Sequence, residues 1–117
     1  MQKRWFWPVP PRSDLSPLMN DTKWNEVRLY MYDMTETPGF TITRIDGTVE
    51  RIDREWYYHF RAGGYRDILH VDITTEGTSQ LNEVLRRLRA VNVPGIVAKN
   101  GVRVFGYLKP GQTVNYV

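Results

Sequence analysis

Residues 54–65 have the sequence Arg-Glu-Trp-Tyr-Tyr-His-Phe-Arg-Ala-Gly-Gly-Tyr and contain three of the seven tyrosines in the chain. An apolar run from Ile68 to Ile73 follows almost directly. Aromatic residues favour β-strands because large flat side chains pack well on a pleated surface. The pair Gly63-Gly64 supplies the positive φ angles that a tight turn needs. Together these patterns predict the central hairpin of an antiparallel sheet.

Side chains alternate across a strand, and this alternation predicts the register of the hairpin. A loop over residues 62–65 sets Trp56 opposite Val71 and Tyr57 opposite His70. One face of the hairpin is then apolar and the other mostly polar, and a slip of one residue would mix the two faces. The polar face of the predicted hairpin carries Tyr57, His59, Arg61, His70 and Asp72.

This polar face has two interpretations. Antiparallel sheets commonly leave one face in water, so the face can be an ordinary solvated surface. It can also be a partner-binding patch, because tyrosine and arginine are frequent anchors of protein interfaces. With a tyrosine added from the loop, the predicted partner-binding residues are Tyr57, His59, Arg61, Tyr65, His70 and Asp72.

Length and composition limit the class of protein. A chain of 117 residues fits one domain with a single core. The absence of cysteine excludes disulfides, thiolate metal sites and a cysteine nucleophile. It also suits a reducing compartment, so a cytoplasmic location is expected. No apolar run approaches the roughly 18 residues that a membrane-spanning helix needs, so no membrane association is expected.

The net charge of +3 is unevenly distributed. Residues 1–18 contribute +2, because they hold Lys3, Arg4 and Arg12 against Asp14 alone. The remaining chain holds 13 basic and 12 acidic residues, and the two signs are interleaved along it. Nucleic-acid-binding domains carry a basic patch or stripe. The charge distribution therefore disfavours a nucleic-acid partner.

Residues 1–18 differ in composition from the rest of the chain. Their four prolines disfavour both a helix and a central strand. The aromatic residues 5–7 are cut off by Pro8, so the apolar region of a signal peptide is missing. Met19 stands directly before a predicted helix and could start translation. We expect a flexible leader or upstream extension over residues 1–18 and a single α+β domain over residues 19–117.

Periodic patterns predict the remaining elements. Apolar residues at helical spacing predict helices over residues 22–34 and 79–91. Asp46-Gly47 and Asn100-Gly101 are two-residue hairpin signals. They join further strands predicted at residues 40–45, 48–52, 96–99, 102–108 and 113–117. The predicted fold class is α+β, with two helices packed on one face of a mainly antiparallel sheet in the order α-β-β-β-β-α-β-β-β.

The chain lacks the groupings of residues that most catalytic mechanisms require. His59 and His70 are the only histidines, and with Asp72 or Glu55 they make a thin set of metal ligands. No serine lies close to either histidine in the sequence, and no phosphate-binding loop is present. Glu55 and Asp72 could face each other as an acid–base pair, but the arginines nearby favour a salt-bridge network. We predict no catalytic residues, no metal site and no cofactor.

Four segments resemble a family of small, uncharacterised bacterial proteins with a central motif of the type REWYYHFRxGGY. They are residues 54–65, Lys23-Trp24-Asn25-Glu26-Val27-Arg28, Val93-Pro94-Gly95 and Phe105-Gly106-Tyr107. The resemblance covers about residues 19–117 and implies that the family begins near Met19. It brings no catalytic residues. Small single-domain bacterial proteins of this kind are often immunity proteins encoded beside toxins, and this analogy suggests the same role here.

The expected function is that of a non-enzymatic protein-binding module, most concretely an immunity protein that neutralises a cognate bacterial toxin. A nucleic-acid-binding regulatory protein is the alternative, since the whole chain is basic. A small metal-dependent hydrolase built on His59 and His70 is the third hypothesis.

Overall fold

The computed structural model describes residues 14–117. It contains two helices, α1 (Asp21–Tyr32) and α2 (Gly77–Val91). Its strands are β1 (Ser16–Pro17), β2 (Gly39–Arg44), β3 (Ile68–Thr74), β4 (Gly95–Ala98), β5 (Gly101–Phe105) and β6 (Tyr107–Leu108). A four-stranded antiparallel sheet has the order β2-β3-β5-β4, and β1 pairs separately with β6.

Helix α1 follows its predicted pattern. The side chain of Asn20 accepts a hydrogen bond of 2.8 Å from the backbone N–H of Lys23, which makes Asn20 the N-cap. Trp24, Val27 and Met31 recur at helical spacing and are buried. The predicted apolar stripe is therefore confirmed, although α1 ends two residues earlier than predicted.

Helix α2 also buries its predicted stripe. It begins at Gly77, two residues before the predicted start, and it ends at Val91. The C-cap residue Asn92 follows in the left-handed conformation with φ of 65°. Asparagine tolerates this conformation better than most residues and commonly terminates helices. The side chains of α2 that are buried in the core are Val84, Leu85, Leu88 and Val91.

The four-stranded sheet turns one face to both helices. Along β2, β3 and β5, every second residue is buried on this face, and these residues are Phe40, Ile42, Val71, Ile73, Val102 and Val104. They form one hydrophobic cluster with the buried residues of α1 and α2. The predicted α+β class, with two helices on one face of a mainly antiparallel sheet, is confirmed.

The predicted central hairpin is wrong. Residues 54–65 form a series of turns rather than a strand. Trp56 and Phe60 are both fully buried, whereas Tyr58 between them is 63% exposed. The inward positions are therefore four residues apart, as in a helical turn, and not two apart as in a strand. We call residues 54–65 the aromatic turn.

Strand β3 consequently has different neighbours from those predicted. Val71 lies opposite Ile42 of β2 on one side and Val104 of β5 on the other. The predicted pairs Trp56–Val71 and Tyr57–His70 do not form, because no residue of the aromatic turn belongs to the sheet. Both neighbours of β3 in the sheet are therefore farther away in sequence than a hairpin partner would be.

The predicted strand at residues 48–52 is reduced to a loop along the edge of β2. Two isolated bridges, Thr43 with Val49 and Phe40 with Asp53, replace a continuous ladder. The predicted turn at residues 46–47 does form, with Gly47 at φ of 91°. The structure therefore has one strand fewer here than the predicted order.

The second predicted hairpin forms with a shifted turn. Ala98 of β4 pairs with Gly101 of β5, so the loop consists of residues 99–100 rather than residues 100–101. Gly101 thus belongs to β5. The predicted strand at residues 113–117 contributes a single bridge, between Tyr116 and Pro94.

The described part of the predicted leader contacts the domain. Strand β1 pairs with β6, the backbone N–H of Leu18 donates to the carbonyl oxygen of Gly106, and Leu15 is buried. Residues 1–13 lie outside the described residues, as does the predicted aromatic run at residues 5–7. The division of the chain at residue 18 stays a prediction.

Arg44 joins β2 to the end of the aromatic turn. Its buried guanidinium donates to Glu50 at 2.8 Å, to Asp67 at 2.6 Å and to the carbonyl oxygen of Gly64 at 3.1 Å. A Cβ on Gly63 would lie 2.5 Å from Nη2 of Arg44. The glycine pair therefore allows the turn to close over the arginine.

Candidate protein-binding surface

The outward side of the aromatic turn meets helix α1 in a group of exposed rings. The ring of Tyr57 lies 5.1 Å from the ring of Tyr32 on α1 and 4.9 Å from the ring of Tyr58, centroid to centroid. Leu29 is also exposed and lies one helical turn before Tyr32. With Arg61, these residues define a surface that we call the tyrosine surface: Leu29, Tyr32, Tyr57, Tyr58 and Arg61.

Two arginines flank the central ring of this surface. The Cζ atom of Arg28 lies 4.9 Å from the ring centroid of Tyr57, and that of Arg61 lies 5.8 Å away. Both distances are within the range of a cation–π contact. Arg28 is buried and also donates from Nη1 to the carbonyl oxygen of Tyr57 at 2.7 Å. Helix α1 therefore holds both the ring and the backbone of Tyr57.

The aromatic turn is held internally by one carboxylate. Glu55 accepts hydrogen bonds from the backbone N–H groups of Tyr57, Tyr58 and His59 at 3.2, 2.9 and 3.0 Å. Its own backbone N–H donates to Asp53 at 2.7 Å. The donors from His59 and Tyr58 hold the pKa of the Glu55 carboxyl below its ordinary value of 4.5. The backbone that carries the tyrosines is thus fixed before any partner binds.

This arrangement makes the stability of the turn depend on pH. Because the pKa of Glu55 is lower in the folded state, its stabilising effect is present above about pH 4.5 and is lost as the pH falls through the folded pKa. We expect Glu55→Gln to lower the urea midpoint at pH 7 and to match the wild type at acidic pH, where Glu55 is protonated. Urea titrations from pH 7 to pH 2.5 measure the difference.

Glu26→Gln is the matched control, since Glu26 is an exposed glutamate on α1. Its urea midpoint should equal that of the wild type at pH 7, because its side chain is exposed. A Glu55→Gln midpoint that equals the wild-type midpoint at pH 7 would contradict the capping role of Glu55.

The predicted partner-binding residues separate into two groups. Tyr57 and Arg61 lie together on the tyrosine surface. His59 is exposed beside them, with Nδ1 at 2.7 Å from the carboxylate of Asp53. Tyr65 instead turns inward: its hydroxyl donates to Asn25 at 2.5 Å, and burial raises the pKa of Tyr65. Tyr65 therefore contacts helix α1 and does not belong to the tyrosine surface.

His70 and Asp72 lie elsewhere, on the face of the sheet that points away from the helices. Asp72 accepts two hydrogen bonds from Arg103 of β5, at 2.7 and 3.1 Å. His70 lies between Thr43 and Phe105 on the neighbouring strands, and burial lowers the pKa of His70. The structure therefore does not bring these two residues together with Tyr57. The single patch predicted from the hairpin was wrong because the hairpin was wrong.

The sequence interpretation also missed three members of the surface. Leu29 and Tyr32 are apolar positions of α1 outside the buried stripe, and this pattern could have indicated an exposed apolar patch. In the predicted strand, Tyr58 lies two residues from Trp56 and therefore shares its apolar face. Its exposure follows only from the turn.

The candidate catalytic groupings are dispersed. Glu55 caps the turn, whereas Asp72 pairs with Arg103, so the two carboxylates do not face each other. Within residues 14–117, no group of three or more histidine, aspartate or glutamate side chains is placed to hold a metal ion. Across the same residues, no helix is both long enough and apolar enough to cross a membrane.

Comparison with models of protein families shows the family to which the chain is similar. A family model described as a family of unknown function, DUF6678, matches residues 9–111. The match begins ten residues before Met19, so the family does not begin where the sequence resemblance implied. No curated protein and no solved structure matches the chain significantly.

Proposed function

The chain belongs to DUF6678, a family of unknown function, and we propose that it is a non-enzymatic protein-binding module that binds its partner through the tyrosine surface. In its most concrete form, the proposal is an immunity protein that neutralises a cognate bacterial toxin in the cytoplasm. The observation that carries the binding role is the exposed group of Tyr32, Tyr57 and Tyr58 beside Arg61.

The composition of this surface suits a protein interface. Tyrosine and arginine are enriched among the residues that contribute most binding energy. Tyrosine adds large contact area with only two rotatable side-chain angles, so little entropy is lost on binding. Helix α1 and the Glu55 carboxylate already hold the backbone of the turn. A preorganised surface of this kind reduces the ordering cost of association.

The immunity role rests on analogy and on the size of the domain. Immunity proteins act by covering the active site or docking face of a toxin, which requires a rigid surface and no catalysis. The described residues offer such a surface, and among them no group of three or more histidine, aspartate or glutamate side chains is placed to hold a metal ion. The analogy with small bacterial proteins encoded beside toxins supplies the class of partner.

The charge distribution weighs against the alternative of a nucleic-acid-binding regulator. Residues 14–117 contain 13 basic and 13 acidic residues, so the described domain is formally neutral, and the net charge of +3 comes from residues 1–13. Affinity for nucleic acid depends mainly on neutralising phosphates with basic side chains. A neutral domain with interleaved charges lacks this driving force.

The proposal is tested by pull-down followed by a growth assay. The wild-type protein captures its partner from a lysate of the source organism, and that partner is then expressed in a test bacterium. We expect the partner to arrest growth, and co-expression of the wild-type protein to restore it. The variant Tyr57→Ala/Arg61→Ala should neither capture the partner nor restore growth, because it removes the centre of the surface.

Two further variants make the result specific. Tyr58→Ala removes a single exposed ring and should weaken capture without disturbing the fold. Tyr116→Ala is the matched control, since Tyr116 is a similarly exposed tyrosine beside the start of β4, across the sheet from β2. Recovery of nucleic acid, or growth rescue that survives loss of the tyrosine surface, would reject the proposal.

A further inference from the structure

Arg28 is a buried cation whose visible partners are all uncharged. Only 6% of its surface is exposed. Its guanidinium donates to the carbonyl oxygen of Tyr57 at 2.7 Å and to the amide oxygen of Asn25 at 3.3 Å, and it lies against the ring of Tyr57. Buried charges are normally paired with an opposite charge, because an isolated ion is costly to desolvate.

The other buried and half-buried arginines of residues 14–117 follow the usual rule. Arg44 pairs with Glu50 and Asp67, Arg87 pairs with Glu83, and Arg103 pairs with Asp72. In each of these pairs a nitrogen–oxygen distance is 2.7 Å or less. Arg28 is at least as buried as any of them, yet no carboxylate of the described chain lies within 4.0 Å of it.

Arg61, at the surface, also lies near Tyr57 without a carboxylate partner among the described residues. It lies against the same ring of Tyr57, it is exposed, and no ion pair joins it to a carboxylate of residues 14–117. Residues 1–13 contain no aspartate or glutamate, so they cannot supply one. Two positive charges therefore lie beside the ring of Tyr57, and neither forms an ion pair with a carboxylate of residues 14–117. The carboxylate of Glu55 lies at the backbone of Tyr57, where it accepts a hydrogen bond from the N–H group at 3.2 Å.

We infer that the protein partner places an aspartate or glutamate carboxylate against Arg61 at the edge of the Tyr57 ring. This inference rests on the proposed function and names the chemistry of the partner at that site. Arg61 supplies the accessible donors, and the charge of Arg28, whose Cζ atom lies 4.9 Å from the ring centroid of Tyr57, adds to the attraction. A carboxylate that becomes desolvated there gains more from both charges than it would in water.

The same geometry favours a carboxylate of a protein over a nucleic-acid backbone. Only one of the two guanidiniums is accessible, since Arg28 is buried and donates to groups of its own domain. A nucleic-acid strand presents a continuous row of phosphates and requires several accessible cations. One accessible arginine beside the ring of Tyr57 matches a single acidic side chain flanked by apolar residues.

The test uses a displayed library of random dodecapeptides as the probe. Peptides are selected on the immobilised wild-type protein and counter-selected on Tyr32→Ala/Tyr58→Ala, so that the selection requires the tyrosine rings but does not favour Arg61. We expect the recovered peptides to be enriched in aspartate or glutamate. Arg61→Gln should weaken their binding by about tenfold or more.

Charge reversal tests whether Arg61 contacts the acidic residue of the peptide directly. The variant Arg61→Glu should lose the acidic peptide and should bind a version of that peptide in which the acidic residue is replaced by lysine, as a direct pair requires. Arg89→Gln removes one positive charge from the exposed end of α2 and should leave the affinity unchanged. Urea titration of each variant shows whether the fold is intact.

The outcomes separate the inference from the proposed function. The inference would be overturned if the recovered peptides require the tyrosine rings but lack acidic residues, or if they bind Arg61→Gln as tightly as the wild type. The proposed binding surface would stand in either case. A library with no ring-dependent peptide would reject the surface and the inference together. Binding of a labelled 20-nucleotide oligothymidine that is lost in Arg61→Gln would also reject both, in favour of nucleic acid.

Discussion

The replacement of Gly101 by alanine is expected to destabilise the fold more than alanine at any other glycine of the described residues. A Cβ on Gly101 would lie 1.8 Å from the carbonyl oxygen of Ile73 and 2.9 Å from its carbonyl carbon. Both atoms belong to the backbone of β3, the strand directly beside β5. The two strands must therefore separate or rotate to accept the methyl group.

The expected cost has two sources. Gly101 has φ of 151°, a conformation that residues with a Cβ rarely adopt, and such backbone strain costs about 1–3 kcal/mol. Overpacking against a neighbouring element typically adds about 1–3 kcal/mol. We therefore expect a loss of about 2–6 kcal/mol in the free energy of unfolding. For a domain of this size, such a loss is a large part of the total stability.

Gly111→Ala provides the matched control. Gly111 also has a positive φ, of 75°, but no atom lies within 4 Å of the position that its Cβ would take. Only the conformational cost of about 1–2 kcal/mol is expected there. Urea titrations of the two variants measure both effects. If Gly101→Ala were no less stable than Gly111→Ala, β3 and β5 could not approach as closely as described.

Trp56→Ala is expected to cost about 3–5 kcal/mol, the usual range for removing a large aromatic side chain from a core. Trp56 is 1% exposed, and its ring lies 4.4 Å from that of Phe40 and 4.8 Å from that of Phe60. Its indole nitrogen donates to the carbonyl oxygen of Pro38 at 2.9 Å. The substitution therefore leaves a cavity and an unpaired carbonyl group.

The contrast with Tyr58→Ala distinguishes the turn from the hairpin. In a strand, Trp56 and Tyr58 would share the buried face and would be of similar importance. In the turn, Tyr58 is exposed, so its removal should change the free energy of unfolding by less than about 0.5 kcal/mol. A large loss of stability in Tyr58→Ala would favour the hairpin. Urea titration provides this measurement before any partner is known.

The two variants also separate folding from function. Trp56→Ala should reduce stability and, through it, partner binding. Tyr58→Ala should reduce partner binding with the fold intact, because its ring contacts Tyr57 on the surface and nothing in the core depends on it. Partner affinity that follows stability across both variants would contradict a direct role for the tyrosine surface.

Elements with local signals could be predicted from the sequence. The stripes of α1 and α2 recur every three or four residues, and a helix buries such a stripe wherever it lies in the chain. The turn at Asp46-Gly47 forms because glycine accepts a positive φ without steric cost. These features depend on neighbouring residues only, so neither the order of the strands nor the position of the core was needed to find them.

The aromatic turn shows where local reasoning fails. Tryptophan and tyrosine favour strands only because strands usually bury them, and their preference depends on context. The sequence does contain the correct spacing, since Trp56 and Phe60 are four residues apart. The choice between a spacing of two residues and a spacing of four depends on distant partners. The carbonyl oxygen of Pro38 accepts the hydrogen bond from the Trp56 indole, and Arg28 donates to the carbonyl oxygen of Tyr57.

The same distinction applies to the candidate site. Periodic patterns and turn signals predicted an α+β domain, and Tyr57 and Arg61 were among the residues predicted to bind a partner. Tyr32 joins them only through folding, because it lies 25 positions away and on a helix. The sorting of His70 and Asp72 to the opposite face has the same cause. Side-chain periodicity is a property of a segment, whereas a surface is formed by segments that packing brings together.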